Sequence, residues 1–145
     1  MMRITLVLII SFDLLASCSK KAETTPKSKE MKSKFEMYEM SEMSLVMEQM
    51  FADNQKLRNE IIEGKKLGEM PVHFQKIHSA AMTDPSENDA FFKTKAKVFL
   101  EAQAQIYSDT ENAKEHFNAS VTACIDCHKV KCMGPVSRIK KLYIK

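Results

Sequence analysis

Residues 123–132 read ACIDCHKVKC. Cys124 and Cys127 sit three apart, and His128 follows at once. Three chemistries use such a stretch: a redox dithiol, a zinc site and covalent haem attachment. Each demands a different fold around it. A redox dithiol sits at a helix N-terminus inside an α/β fold, where the helix dipole lowers the thiol pKa. A structural zinc ion needs four tetrahedral ligands. Haem attachment needs both thiols and the imidazole on one face of a single helix, since i, i+3 and i+4 are neighbours there. The elements that the rest of the chain forms therefore discriminate among the three.

Those elements read as helices. Between residues 35 and 145 the glycines are Gly64, Gly68 and Gly134, and Met, Ala, Glu, Gln and Lys dominate, all good helix formers. No window alternates apolar and polar residues for long. The spacing predicts a first helix whose stripe runs Phe35, Met40, Met43, Met47, Met50, Leu57 and Ile61, ended by Gly64 as its left-handed C′ residue. After the loop KKLGEMP, Pro71 opens a second helix with Phe74, Ile77 and Met82 on its apolar side. TDPSEND interrupts, with Asp84 or Ser86 as cap of a third helix that buries Phe91, Phe92, Val98, Phe99, Ala102 and Ile106. Asp109 or Thr110 caps the fourth. Its stripe runs Ala113, Phe117, Val121 (or Ser120), Cys124 and His128, and Gly134–Pro135 closes it. Four helices with short links predict an all-α domain, an antiparallel up-down four-helix bundle over residues 35–145.

The N-terminus adds the compartment. MMRITLVLIISFDLLASC has a positive residue, Arg3, then an apolar run too short to span a bilayer. It fits the core of a signal peptide, and LASC reads as a bacterial lipobox. Residues 1–17 are then the lipoprotein signal peptide, and Cys18 carries lipid; an ordinary signal peptide with Cys18 incidental is the other reading. Residues 18–34, lysine- and serine-rich, bury almost nothing and read as the lipidated cysteine and a flexible tether. This places the domain in the periplasm, anchored to a bacterial membrane. The net charge of +3 comes without a basic stripe interleaved with aromatics, so no nucleic-acid partner is implied.

With that frame the three chemistries separate. The dithiol reading lacks strands and places its cysteines late in a helix, where the dipole raises a thiol pKa. The zinc reading counts Cys124, Cys127, His128 and Cys132, but Cys127 and His128 are adjacent, and adjacent residues rarely bind one tetrahedral ion. Haem attachment agrees with both the helix and the export signal. Cys124 and Cys127 add across two vinyl groups of one haem c, and His128 reaches the iron. Cys132 then reads as a small buried hydrophobe near the haem edge. His73, His78 and His116 read as surface or capping residues. No Ser–His–Asp or paired-carboxylate pattern is visible, so the chain does not read as an enzyme. The 11 methionines read chiefly as core filler.

A Cys124–Cys127–His128 site late in the last helix of a four-helix domain resembles the cytochrome c-prime family, over roughly residues 35–130. The resemblance implies haem in the bundle core with His128 as the proximal ligand. High-spin members of that family leave the iron five-coordinate, whereas low-spin relatives place a methionine on its other side. In the family the residue over the iron lies about sixteen positions before the glycine that ends the first helix. Counted from Gly64 this falls beside Met47, with Met50 the alternative. A thioether ligand raises the potential. The short link after the first helix and the brief second helix depart from the family pattern. So does the tail CMGPVSRIKKLYIK, where Val136, Ile139 and Leu142 are expected to pack back and leave Arg138, Lys140 and Lys141 solvated or as a docking face. The function implied is one-electron transfer to redox partner proteins. The alternatives are nitric oxide or carbon monoxide binding at a five-coordinate iron, and a non-redox, zinc-holding interaction protein. Members of the family are often dimers, so a homodimer is a further implied assembly.

Overall fold

The computed structural model describes residues 39–145, which form helices and the turns between them; no strand occurs among the described residues. Cys18, the segments expected to be signal peptide and tether, and Phe35 lie outside the described residues. The all-α class read from the sequence is the class of the described chain.

Helix α1 (Glu42–Ile62) begins at Ser41, whose Oγ accepts the Ser44 amide at 3.3 Å. Its start is also tied down from outside. Met43 N–H donates to the Ala81 carbonyl at 2.9 Å, and Glu42 Oε2 accepts the Ala81 amide at 3.0 Å. These bonds satisfy donors that a helix N-terminus leaves open. At the other end Gly64 has φ +63°, a conformation that disfavours any Cβ. The Lys65 and Gly64 amides reach back to the Glu60 and Ile61 carbonyls at 2.9 and 3.1 Å, a Schellman closure. Gly64 is therefore the C′ residue expected. The buried stripe is Met43, Val46, Met50, Asn54 and Leu57, whereas Met40 is exposed and precedes the helix.

The second helix forms, but not as an α-helix. Val72–His78 is a 3-10 helix following Pro71. Its apolar residues explain this. Phe74, Ile77 and Ala80 are spaced by three and all buried, and three residues per turn is the 3-10 repeat. An α-helix would rotate them progressively off one line.

Helix α2 (Ala90–Ser108) is capped by Asp89, whose Oδ1 accepts the Phe92 amide at 2.8 Å. Asp84, expected at this position, instead organises a separate 3-10 turn (Pro85–Glu87), accepting from the Ser86 amide and hydroxyl. The core side of α2 is Phe92, Ala96, Phe99, Leu100, Gln103 and Ile106. Phe91 and Ala102 are only partly buried, and Val98 is exposed. Helix α3 (Ala113–Lys131) follows a 3-10 turn, Thr110–Asn112, that leaves Asp109 as its first anchor. The Asp109 carboxylate accepts from Asn112 Nδ2 at 3.0 Å and His116 Nε2 at 2.9 Å. α3 ends at Cys132, before Gly134–Pro135. This link makes α2 and α3 the most closely packed pair of helices.

The tail returns as expected. Helix α4 (Val136–Ile139) and the turn Lys140–Leu142 bury Val136, Ile139 and Leu142, and Ile144 is buried beyond them. Asn118 on α3 holds Ile144 by both its backbone groups, each at 2.9 Å. Arg138 is half-exposed but paired. It grips the Glu48 carboxylate in a fork, with Nη1 to Oε2 at 2.8 Å, and its guanidinium lies 4.6 Å from the centre of the Phe51 ring. Planar bidentate pairing and stacking on an aromatic face are what a guanidinium does and an ammonium does not.

The core has two parts. One gathers the first half of α1, the 3-10 helix and the first half of α2 around Phe74, Phe92 and Phe99. The other joins Leu57, Ile106, Phe117, Val121 and Ile125 to the returning tail. Cys124 packs against both. No described helix is long and apolar enough to cross a membrane.

Candidate functional site

A cavity of about 350 Å³ opens beside the first core. Its size lies in the range of small-molecule and cofactor sites, roughly 300–1,000 Å³. The last two turns of α3 supply Cys124, Cys127 and His128 to its wall. α1 supplies Met43, Met47 and Met50, and α2 supplies Phe92, Ala96 and Phe99. Met82, on the loop after the 3-10 helix, adds a fourth thioether. The three residues singled out by the motif and both candidate methionines thus border one cavity. Met50 is 4 % exposed, and Met47 is less buried.

The protonation of the α3 residues follows from their burial. The Cys124 thiol is pushed up to about 12, first by burial and then by the neighbouring Cys127. Cys127 is also raised, mainly by burial, with Lys131 and Lys95 acting against it. Both stay neutral thiols, which is the opposite of what a redox dithiol requires. Burial lowers the His128 pKa; the Cys132 carbonyl opposes this, and Arg138 adds to the lowering. His128 Nδ1 lies 3.2 Å from the Cys132 carbonyl oxygen. A carbonyl only accepts, so Nδ1 carries the hydrogen and Nε2 keeps its lone pair. A backbone acceptor on one ring nitrogen with the other left as ligand is how imidazole is oriented in metal centres.

Charged residues frame the cavity. Lys131 on α3 bonds Glu87 at 2.7 Å and Asp89 at 2.6 Å, which ties the end of α3 to the start of α2. Arg138 and Glu48, both on the cavity wall, tie α4 to α1. Neither tie was legible from spacing, because each joins residues far apart in the chain. Met82 was legible only as an apolar residue of the second helix.

Several expectations move. Cys132 borders the cavity but is exposed, not buried, because α3 has ended by that residue. Among the described residues no group of three or more His, Cys, Asp or Glu side chains is gathered as a metal-ion site, so the four donors of the zinc reading are not drawn into one cluster. His116 is a capping partner of Asp109, and His78 is exposed. His73 Nε2 lies 2.8 Å from Asp53 Oδ2. None of these three histidines borders the cavity.

The cavity wall is mostly apolar, and a single helix face presents two thiols and one imidazole to it. No family model, curated protein or solved structure matches the chain.

Proposed function

We propose that the chain is a c-type cytochrome resembling the cytochrome c-prime family, in which α1, the 3-10 helix, α2 and α3 serve as the four members of an up-down bundle. One haem c is held in the cavity, with its thioether links at Cys124 and Cys127 and its iron on His128. The observation that carries this reading is the meeting, on one apolar cavity, of that helix face with the Met43–Met47–Met50 stripe of α1. A bound haem supplies a one-electron couple at the iron. The chain's own residues do the rest. The Nδ1–H bond to Cys132 aims a neutral imidazole, Phe92 and Phe99 exclude water, and the two ion pairs hold the helices around the cavity. The apolar wall and the single imidazole suit electron transfer to a redox partner. The lipobox supports export to the periplasm and anchoring at Cys18.

The test is mass spectrometry of the full-length gene product after acid–acetone extraction, from a host that attaches c-type haem. The expected polypeptide carries the added mass of one haem, which is lost when both Cys124 and Cys127 are changed to Ser. The same spectrum reads acylation at Cys18, lost in Cys18→Ser. A polypeptide of plain cleaved mass, or one retaining zinc, overturns the haem reading.

A further inference from the structure

A second cavity, of about 310 Å³, lies behind Arg138. Its wall holds three cationic side chains, Arg58, Arg138 and Lys141, two carboxamides, Gln55 and Asn59, and the Phe51 ring. Among the described residues no carboxylate borders it. Charge this one-sided around a concave surface concentrates anions.

The three cations are not equally committed. Arg138 is neutralised by Glu48. Arg58 is under-used. Its helix neighbours at i±3 and i±4 (Gln55, Asn54, Ile61 and Ile62) include no acid. Its hydrogen-bond contact with a side chain is Nη1 to Asn59 Oδ1 at 3.5 Å, and its Nε is buried with no partner among the described residues. A buried, unpaired N–H group on a charged side chain calls for an acceptor. Lys141 is exposed and forms no ion pair among the described residues. Two positive charges thus remain unbalanced at this wall.

We propose that this second cavity binds a phosphate monoester. A phosphate monoester carries about −1.5 to −2 at neutral pH, which matches Arg58 and Lys141 together, whereas a single carboxylate matches only one. Its oxygens accept in several directions, as two cations and two amide NH₂ groups present donors in several directions. The remaining volume, bordered by Phe51 and Leu142, accommodates the ester's organic part. The proposal is independent of the haem reading. Phe51 and Arg138 border both cavities, so a phosphate bound here stands one side chain from the first cavity and competes with Glu48 for Arg138.

The experiment is titration calorimetry of the full chain carrying Cys18→Ser, in low-salt buffer at pH 7, with phenyl phosphate as the probe. Saturable binding is expected, weakened about tenfold or more by Arg58→Gln and by Lys141→Gln, since each removes a charged donor. The exposed Lys140→Gln leaves it unchanged. Circular dichroism checks that the variants fold, and Lys141→Gln, at an exposed position, keeps the test available if Arg58→Gln does not. A second arm measures sedimentation with vesicles of phosphatidylcholine containing phosphatidic acid, whose headgroup is a phosphate monoester. Vesicle binding that both variants weaken, without saturation by phenyl phosphate, makes a lipid headgroup the source of the phosphate. Absence of binding in both arms overturns the proposal, as does binding that neither variant weakens.

Discussion

Met47 and Met50 stand nearly one turn apart on the same stripe of α1, and both border the first cavity. Their surroundings separate them. Met50 is a member of the buried core, while Met47 packs against that core from its edge. A buried methionine truncated to alanine costs about 2–5 kcal/mol through lost contact and a cavity. With Met47 as the proposed ligand of a bound haem, Met50→Ala is therefore expected to lower the denaturation midpoint and leave the iron's spin state alone. Met47→Ala is expected to cost less stability and to turn a low-spin spectrum high-spin. The reverse pattern moves the ligand to Met50. A high-spin wild-type spectrum removes a methionine ligand altogether and favours the gas-binding reading.

At the scale of elements, local bonds at the helix ends decide where each helix starts. Asp89 caps α2 through the Phe92 amide, and Asp109 braces the entry to α3 through Asn112 and His116. The His116 hydrogen bond, and after it that of Asn112, holds the Asp109 carboxyl below the ordinary carboxylate range. A carboxyl depressed by folding contributes stability above its unfolded pKa, about 3.9. That contribution fades as pH falls toward and through the folded value. The Asp109→Asn protein is thus expected to melt lower than the wild type at pH 6. The gap between the two melting temperatures should narrow as pH falls below about 4. A gap that stays constant down to the acid limit would show that the carboxylate charge plays no part.

At the largest scale, α1, α2 and α3 are joined by one buried polar group. Gln103 on α2 is fully buried; its Nε2 donates to Asn54 Oδ1 on α1 and Ser120 Oγ on α3, each at 2.6 Å. Asn54 in turn donates from Nδ2 to the Met50 carbonyl at 2.8 Å. Three helices thus share one hydrogen-bonded chain, and only one register of each satisfies it. Gln103 Oε1 has no partner among the described residues, so the network stabilises less than its bond count suggests. Gln103→Leu is expected to cost roughly 1–3 kcal/mol in urea unfolding, because it strands Asn54 Oδ1 without its donor. Adding Asn54→Leu should cost less than Asn54→Leu does alone, with a coupling of about 0.5–3 kcal/mol. Strict additivity would show that the two side chains act separately.

Features set by near neighbours in the chain were legible in the sequence. Cys124, Cys127 and His128 share a helix face because that depends only on residues three and four apart. Gly64 ends α1 because only a residue at ease with positive φ serves there, and the apolar tail packs back because its spacing requires an apolar contact. Other features waited for the tertiary structure. Phe74, Ile77 and Ala80 fit an α or a 3-10 reading until a flat core face selects the three-residue repeat. Asp84 and Asp89 are equally good caps by residue type, and Lys131 beside Asp89 marks the one where α2 begins. Arg138 reads as solvated or as part of a docking face, and its ion pair appears only when Glu48 is brought to it from a distant part of the chain. Which methionines border the cavity, and where unpaired cations line a second one, depend on where distant segments come to rest. Spacing along the chain carries local geometry, whereas those contacts arise only when separate helices bury their faces together.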